Sequence, residues 1–582
     1  MKSMRSKMAS AAVLGILSAS LLTAAWSAPA AAKKAAPKSG KTKYDPVKVA
    51  LADIAKMKVG SHDWPQWGGW TGRNNTPDGK NIPIDWDTET GKNIKWKVKL
   101  GSQCYGNPVV ANGKIYCGTN NYGGYLKRYP PTVDLGCLLC FDEKTGKFLW
   151  QHSSEKLPSG RVNDWPKQGI CSAVYADDNR VWCVTSRGEV VCLDAEGFRD
   201  GKNNGPFTAE PNQNSDEADV IWKFDMMGTL GSFQHNMCAC SVTSDGKRLF
   251  VNTGNGMDAT HLNLPAPNAP SFFALDRDSG KLLWTDKSPG EYILHGQWSS
   301  PTYAVLGGQP QVLFAGGDGW LYSFDPKGDG NGNSKLLWKF DANPKTSKWI
   351  LGGTGTRNNI IATPVVYDGL VYVAVGQDPE HGENMGHLWC VDPTKRGDVS
   401  PTLAVDAKGK PVPRQRLQAV ITADGEKEIP NPNSAAVWEF GHMTQKAYDA
   451  APFEKQMHRS CGTVAIKNDL LYIADFSGLF HCLNAKTGKQ YWVYDMFAAA
   501  WGSPLIVDGH VYIGDEDGDI AIFNLSGDPK VAMKPKKDAP EEFEPIKTIN
   551  MGNSVYTTPI VANNVLFIAN KSNLYAISPG GK

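Results

Sequence analysis

Residues 142–150 read DEKTGKFLW, and the same nine-residue pattern returns as DRDSGKLLW at 276–284 and as NAKTGKQYW at 484–492. Each copy follows an apolar stretch, passes through a Thr-Gly-Lys or Ser-Gly-Lys turn and ends on tryptophan. The glycine of each copy permits a turn with positive φ between neighbouring strands, and the tryptophan is expected to be a large buried plate. Recurrence in one register indicates a repeat architecture rather than several unrelated domains.

The pattern around this turn occurs eight times: an apolar strand, a Gly or Asp turn, a second strand, a tight turn and a strand that ends on an aspartate-like residue. The predicted first strands begin near Pro108, Ala173, Ser241, Pro301, Pro364, Thr463, Pro504 and Pro559. The closing tryptophans are Trp150, Trp222, Trp284, Trp338, Trp438 and Trp492, and the seventh copy is degenerate near Ile546. Many short strands with glycine-rich turns predict an all-β fold, an eight-bladed β-propeller of four-stranded blades.

The eighth copy lacks its last strand. It stops at LYAIS, residues 574–578, whereas DTETGKNIKW at residues 87–96 is a final-strand segment with no strands before it. We therefore expect the N-terminal strand to complete the last blade, which leaves no open sheet edge. The propeller is predicted over residues 61–582, with surface insertions at 256–271 in blade three and 393–437 in blade five.

The N-terminus reads as a targeting segment. Basic residues precede an apolar run that ends in SAPAAA, so residues 1–32 are predicted to be a secretory signal peptide and residues 33–60 a flexible linker. The first cysteine of the chain is Cys104, so we expect no lipid anchor, and no later segment is apolar enough to predict a transmembrane span. These features predict a soluble protein exported to the periplasm or cell envelope.

The formal net charge of +2 comes from 61 basic and 59 acidic residues. Removal of the basic signal segment would make the mature chain slightly negative. Such a balance gives no electrostatic reason to expect nucleic acid as a partner.

These repeats resemble the PQQ-type propeller repeat, with its turn of the form A-x-[DT]-x-x-[ST]-G-x-x-x-W. The resemblance extends over about residues 64–578. It implies a propeller shared by two groups: quinoprotein alcohol dehydrogenases, which carry pyrroloquinoline quinone (PQQ) over a calcium ion, and non-catalytic relatives such as the outer-membrane assembly propeller BamB. Fold does not by itself decide between them.

The quinoprotein pattern includes two adjacent cysteines beside the quinone and a calcium held by carboxylates. No two cysteines are adjacent in this chain, and the segments expected at the channel mouth contain no carboxylate. No C-x-x-C-H occurs, which excludes c-type haem. Calcium needs clustered oxygen ligands, so PQQ with calcium remains a cofactor hypothesis without placed ligands.

Four of the twelve cysteines occupy one column of the repeat, which reads Cys140, Cys192, Ala274, Ser323, Cys390, Cys482, Ile522 and Ala576. A column that accepts Cys, Ala, Ser or Ile requires a small buried side chain, so these four cysteines are predicted to be core thiols. Pairing among the remaining cysteines stays open.

The segments that precede the inner strands should meet at one mouth of the central channel. Counting back from each first strand gives polar and aromatic side chains, which a planar polar ligand would need. The predicted ligand-binding residues are His235, Asn236, His295, Trp298, Arg357, Asn358, His458, Arg459 and Trp501. Tyr105 and Tyr556 fall at the same offset as the two tryptophans.

Two further clusters contain residue types that can bind a metal ion. The blade-five loop holds Asp378, Glu380, His381, Glu383 and His387 at irregular spacing, which favours a solvated loop. DGNGN at residues 329–333 begins like a calcium loop, but Phe340 stands where the closing glutamate should be. The sequence therefore predicts no metal site and identifies no catalytic residue.

Two functions are consistent with these features. The first is a binding or scaffold propeller in the periplasm or cell envelope, which binds a protein partner or a small polar ligand and catalyses no reaction. The alternative is a quinoprotein-type oxidoreductase, a PQQ-dependent dehydrogenase that uses the channel mouth.

Overall fold

The computed structural model describes residues 43–377, 379–382, 384–414, 418–441 and 444–581. The predicted signal peptide, residues 1–32, and residues 33–42 of the predicted linker lie outside this range. No helix in the described part of the chain is long and apolar enough to cross a membrane.

The described chain forms eight four-stranded antiparallel blades in a β-propeller ring, as predicted. Blade one contains Val109–Ala111, Lys114–Asn120, Leu135–Asp142 and Phe148–Glu155, and blade two contains Tyr175–Asp177, Arg180–Val184, Glu189–Asp194 and Val220–Asp225. Blade three contains Thr243–Ser244, Arg248–Asn252, Phe272–Asp276 and Leu282–Asp286, and blade four contains Thr302–Leu306, Gln309–Ala315, Trp320–Phe324 and Leu336–Asp341. Blade five contains Val365–Tyr367, Leu370–Val375, His387–Val391 and Ala436–Gly441, and blade six contains Ala465–Lys467, Leu470–Ala474, Leu479–Asn484 and Gln490–Asp495. Blade seven contains Leu505–Val507, His510–Gly514, Asp519–Asn524 and Lys547–Asn550, and blade eight contains Ile560–Ala562, Val565–Ala569, Asn573–Ile577 and Ile94–Lys99.

The eighth blade combines both ends of the described chain. Ile94–Lys99 pairs antiparallel with Asn573–Ile577, and Trp96 lies opposite Ala576. The indole of Trp96 donates a hydrogen bond to the carbonyl of Glu143 in blade one at 3.0 Å.

Outside the blades, the insertion in blade five contributes a hairpin of Thr402–Val405 with Lys427–Pro430, and Gly397–Asp398 adds a parallel strand to blade four. A second hairpin joins Met533–Pro535 to Phe543–Pro545. The helical elements of the described chain are the α-helices Pro46–Ile54, Met226–Leu230, Gln445–Ala450 and Pro529–Ala532 and the 3-10 turns Asn121–Gly123, Gly160–Val162, Gly197–Asp200, Gly290–Tyr292, Pro379–His381, Thr422–Asp424 and Phe453–Lys455.

Neighbouring blades are joined by apolar side chains. Each large buried cluster mixes residues of two adjacent blades, as where Phe272 of blade three stacks on Phe314 of blade four at 4.6 Å between ring centroids. The four cysteines of the repeat column, Cys140, Cys192, Cys390 and Cys482, are at most 1% exposed, which confirms their prediction as core residues. All twelve cysteines are thiols rather than members of a disulfide.

Part of the predicted linker is structured. Pro46–Ile54 forms a helix because Asp45 accepts a hydrogen bond from the backbone of Val47 and proline occupies the first turn. Ala50 and Ile54 are at most 1% exposed and pack against the core of blades one and eight. The linker prediction is therefore wrong for this helix, because its apolar face has a partner on the ring.

Residues 62–75, which we call the axial segment, cross one end of the channel and bond to every blade. From blade one to blade eight, the bonded pairs are Trp64 with Val110, Pro65 with Ala176, Gln66 with Thr243, Thr71 with Tyr303, Gly72 with Val366, Asn74 with Ile466, Asn75 with Ile506 and His62 with Asn563. Arg73 is fully buried and donates to the carbonyls of Trp67, Ser241, Val242 and Pro301, and burial lowers its pKa to about 9.

Candidate functional site

The mouth opposite the axial segment holds a cavity of about 480 Å³, which we call the mouth cavity. At least one lining residue precedes the first strand of each of the eight blades, so the whole ring builds it. The lining residues are Tyr105, Asn107, Trp165, Gln168, Cys171, Asn236, Met237, Ala239, Trp298, Ile361, Glu380, Cys461, Phe476, Trp501 and Tyr556.

A smaller cavity of about 120 Å³ continues the channel inward. It shares six lining residues with the mouth cavity, among them Asn107, Cys171 and Trp501, and is also lined by Trp67 of the axial segment. The indole N–H of Trp67 donates a hydrogen bond to the hydroxyl of Thr363 at 3.2 Å, which holds the indole in place at the inner end of the channel. A ligand would therefore enter from the mouth.

One wall of the mouth cavity is aromatic. Tyr105 and Tyr556 stack with ring centroids 4.7 Å apart and planes within 8°. Trp501 meets them edge-on at 5.9 and 5.5 Å, and Phe476 contacts Trp501 at 5.6 Å. Burial raises the pKa of Tyr105, so its hydroxyl stays protonated at neutral pH. These rings offer flat apolar surface with a few hydroxyl donors, as suits a planar ligand.

The polar groups of the mouth cavity come from Asn107, Gln168, Asn236 and Glu380. Asn107 is committed to the scaffold, since its Oδ1 accepts the backbone N–H of Thr558 at 2.6 Å. Glu380 brings a carboxylate from the blade-five loop. The segments before the inner strands contain no carboxylate, as the sequence indicates, but the blade-five loop lies outside those segments and supplies one.

Two thiols also line the mouth cavity. Cys171 lies 3.5 Å from the sulfur of Met237, and Cys461 donates to the carbonyl of Trp501 at 3.7 Å. Burial raises the pKa of Cys171 to about 12, so its sulfur is a neutral thiol rather than a thiolate at physiological pH.

Of the nine predicted ligand-binding residues, Asn236, Trp298 and Trp501 line the mouth cavity. His235 and His295 lie directly behind Trp298, with ring centroids 6.1 and 5.3 Å from its indole. The indole N–H of Trp298 donates to the carbonyl of His235 at 3.3 Å. These five residues are therefore close together in space.

Arg357 and Asn358 are placed elsewhere. Arg357 is 7% exposed and bonds to Asp341 at 2.6 Å and to the carbonyl of Asp318 at 3.0 Å. Asn358 is fully buried and donates from its side chain to the carbonyl of Met385 at 2.9 Å. Neither is among the residues that line the mouth cavity, because their side chains turn back into the ring.

His458 and Arg459 are also buried and hydrogen-bond to other parts of the ring. The ring nitrogens of His458 bond to Asp475 at 2.9 Å and to Gln456 at 3.1 Å. Arg459 bonds to Asn358 at 2.7 Å and to the carbonyls of Gly355 and His381. Counting back from the strands found the right segments but not the direction of these side chains.

Sequence reasoning did not single out Trp165 and Met237, which line the mouth cavity, or His261. His261 comes from the blade-three insertion, and its ring nitrogen lies within 4.8 Å of those of His235 and His295. In the blade-five loop, Asp378 and Glu383 lie outside the described residues, while His387 bonds to Glu439 at 3.0 Å. No repeat register applies to an insertion, so no sequence signal pointed to His261.

Comparisons with known proteins agree with the repeat assignment. Residues 427–530 match the family model described as outer membrane protein assembly factor BamB. The predicted resemblance to the PQQ-type repeat is confirmed over this stretch. It runs from the hairpin in the blade-five insertion through blade six and most of blade seven. A search of curated proteins finds no match.

Solved propellers are similar at low identity. BamB from Moraxella catarrhalis is 14% identical, with 83% of this chain and 99% of that chain covered and a TM-score of 0.48. The quinohemoprotein alcohol dehydrogenase from Comamonas testosteroni is 14% identical, with 92% and 84% covered and a TM-score of 0.44. A europium-containing methanol dehydrogenase is 11% identical, with 90% and 100% covered and a TM-score of 0.43.

Proposed function

We propose that this protein is a binding propeller of the periplasm or cell envelope that holds a small, planar, polar ligand in the mouth cavity and carries out no chemistry on it. The observation that carries the proposal is the convergence of all eight blades on one cavity with an aromatic wall. Its volume falls within the range of small-molecule sites, roughly 300–1,000 Å³.

The ligand class follows from the lining. Stacked Tyr105 and Tyr556 with edge-on Trp501 favour a flat ring system, Gln168 and Asn236 supply amide donors and acceptors, and Glu380 favours a neutral or cationic ligand. A peptide segment of a partner protein with one aromatic side chain would use the same surface. Preformed aromatic walls limit the ordering cost of binding.

A ligand screen by thermal shift and tryptophan fluorescence tests this proposal. Trp298→Ala and Trp501→Ala should each weaken binding of a hit by about 2 kcal/mol, close to thirtyfold, while leaving the fold intact. Tyr491→Ala is the matched control, because Tyr491 is 41% exposed on the outer strand of blade six. A hit that stabilises all four proteins equally would place binding outside the mouth cavity.

Export is part of the proposal. It is supported by the basic, apolar and small-residue pattern of residues 1–32. N-terminal sequencing of protein recovered from the periplasmic or envelope fraction of its host tests it: a mature N-terminus near residues 27–33 is expected, and an uncleaved cytoplasmic chain would contradict it.

The alternative is a PQQ-dependent dehydrogenase that uses the same cavity. Calcium takes about six to eight oxygen ligands. Among the described lining residues Glu380 is the sole carboxylate, and Cys171 and Cys461 are not neighbours in sequence. These residues do not fit calcium-bound quinone. A visible spectrum of protein incubated with PQQ and calcium decides: bound quinone absorbance would overturn the binding-only proposal.

A further inference from the structure

We propose that His235, His261 and His295 form a binding site for a divalent transition-metal ion, Zn²⁺ by preference, that ties the blade-three insertion to the wall of the mouth cavity. The site is independent of any ligand in the cavity itself. His235 and His295 precede the first strands of blades three and four, whereas His261 belongs to the insertion between the second and third strands of blade three.

The three imidazoles face one another. Ring centroids are 4.3 Å apart for His235 and His295, 5.1 Å for His235 and His261, and 4.9 Å for His261 and His295. One ligand nitrogen from each ring lies within 4.8 Å of the others. Tetrahedral zinc with bonds of about 2.0–2.1 Å brings its nitrogens to about 3.4 Å from one another. Small movements of the rings, of which His261 is the half-buried one, would bring the nitrogens to this spacing.

The orientation of the His235 ring is set by its backbone surroundings. Nδ1 of His235 lies 2.9 Å from the carbonyl oxygen of Met257, and a carbonyl only accepts, so Nδ1 carries the proton of the neutral ring. Nε2 then presents its lone pair, the form that a metal requires, and a carbonyl partner on the other ring nitrogen is typical of ligand histidines. The N–H of Met257 also donates to the carbonyl of His295 at 3.0 Å, which joins the two segments.

Gly256 lets these segments approach each other. A Cβ on Gly256 would lie 2.5 Å from the carbonyl oxygen of His295 and 2.7 Å from Cβ of His235. Any larger residue would push the two histidines apart, so glycine here serves the close approach rather than a turn.

The loop that carries His261 is ordered by Asp258. Its carboxylate accepts the N–H and hydroxyl of Thr260 at 3.0 and 2.6 Å and the side-chain amide of Asn263 at 2.9 Å. His261 itself adopts φ of +58°, a left-handed conformation that is unfavourable for an L-residue. Local strain that aims a side chain at two others is common at ligand sites.

The donor set selects the class of ion. Imidazole nitrogens suit zinc, copper and nickel, whereas calcium and magnesium require oxygen ligands. His235 and His295 are at most 1% exposed, which keeps water from competing at two of the three positions. The ring centroid of His381 lies 4.6 Å from that of His295, which puts a further imidazole beside the cluster. An ion here would stabilise the folded chain, because the unfolded chain does not assemble the three rings.

Zinc binding to the untagged full-length mature chain tests the proposal. Titration against a chromophoric chelator should give one Zn²⁺ per chain, added zinc should raise the melting temperature, and Co²⁺ should give the visible absorption of a low-coordinate site. His261→Ala should abolish all three signals, and because His261 is half-buried in a loop the variant should still fold. Asp258→Asn, which weakens the loop that presents His261, should lower affinity by about tenfold.

His510→Ala is the matched control, since His510 is a half-buried histidine on a blade-seven strand and outside the cluster. It should retain wild-type stoichiometry and melting shift. A wild-type chain that binds no zinc, or a His261→Ala chain that binds it equally, overturns the proposal. Neither result bears on the ligand screen of the mouth cavity, so the two proposals fail separately.

Discussion

Trp438 of blade five covers Gly488 in the turn of blade six, and its indole N–H donates to the carbonyl of Ala485 at 2.8 Å. In other blade pairs Trp96 covers Gly146 and Trp222 covers Gly280 in the same way, and the indole of Trp96 also donates to a turn carbonyl, that of Glu143. The three glycines have φ of +70°. The repeat signature therefore encodes a contact between blades as well as a turn within one.

Gly488→Ala should destabilise the protein more than Gly509→Ala. Both glycines have positive φ, so both substitutions cost about 1 kcal/mol of backbone strain. A Cβ on Gly488 would lie 2.6 Å from the Trp438 ring, whereas a Cβ on Gly509 meets nothing within 4 Å. The clash should add roughly 1–3 kcal/mol, measured by urea unfolding. Equal decreases in the free energy of unfolding would show that the Trp438 ring moves aside without an energetic cost.

Trp96→Ala should lower the free energy of unfolding by about 3–5 kcal/mol. Trp96 is 9% exposed, packs against Phe567 in blade eight and covers the turn of blade one. Its loss therefore removes one packing contact within blade eight and one between blades eight and one. Lys99→Ala on the same strand is the control, because its side chain points to solvent. Unfolding midpoints that agree between the two variants would mean that this strand contributes little.

Arg357→Ala should act on stability rather than on ligand binding. Asp341 accepts hydrogen bonds from Arg357 at 2.6 Å and from Lys345 at 2.7 Å, and all three side chains are at most 9% exposed. Removal of one partner from a buried ion pair costs about 3–5 kcal/mol. A variant of unchanged stability that loses the ligand would instead support the role expected from the sequence.

The same carboxyl group predicts an acid-labile contribution. Burial by itself raises the pKa of Asp341, but the charges of Arg357 and Lys345 outweigh it and hold the pKa at about 2, below the ordinary value of 3.8. Because the folded pKa is the lower one, the stabilisation is full above about pH 4 and is lost as the pH falls towards 2. Asp341→Asn should remove this component from the pH dependence of unfolding. An identical pH profile in wild type and variant would contradict it.

All twelve cysteines should react with a thiol reagent in denaturant without reductant, since all are in the thiol form. In the native protein the half-buried Cys171 and Cys461 should react first, and a ligand in the mouth cavity should protect both. Cys140, fully buried in blade one, is the internal control. Peptide mapping that finds a disulfide, for example between Cys104 and Cys117 with sulfurs 3.6 Å apart, would contradict the free-thiol state.

The blades could be predicted because eight copies constrain one another. Each first strand begins within two residues of its predicted start, and the cysteine column is buried as expected. The positions of Glu380 and His261 could not be predicted, because Glu380 lies in the blade-five loop and His261 in the blade-three insertion, and neither segment follows the repeat register. Arg357 and His458 were assigned to the mouth because sequence offset fixes a residue's height along the channel but not the direction of its side chain.

The axial segment makes the folding of the blades interdependent. In an open repeat array, each unit gains stability mainly from its neighbours, so the array can unravel unit by unit. Here Asn75 donates to the carbonyls of Pro504 and Pro559 in blades seven and eight, and Arg73 holds blades three and four. Residues that emerge early in synthesis thus find their partners only once the last blade exists, so native contacts are strongly non-local and folding should be slow. Unfolding of any one blade would remove part of the hydrogen bonding that holds the axial segment, and the axial segment in turn contacts the other seven blades. We therefore expect the ring to melt as a single cooperative unit.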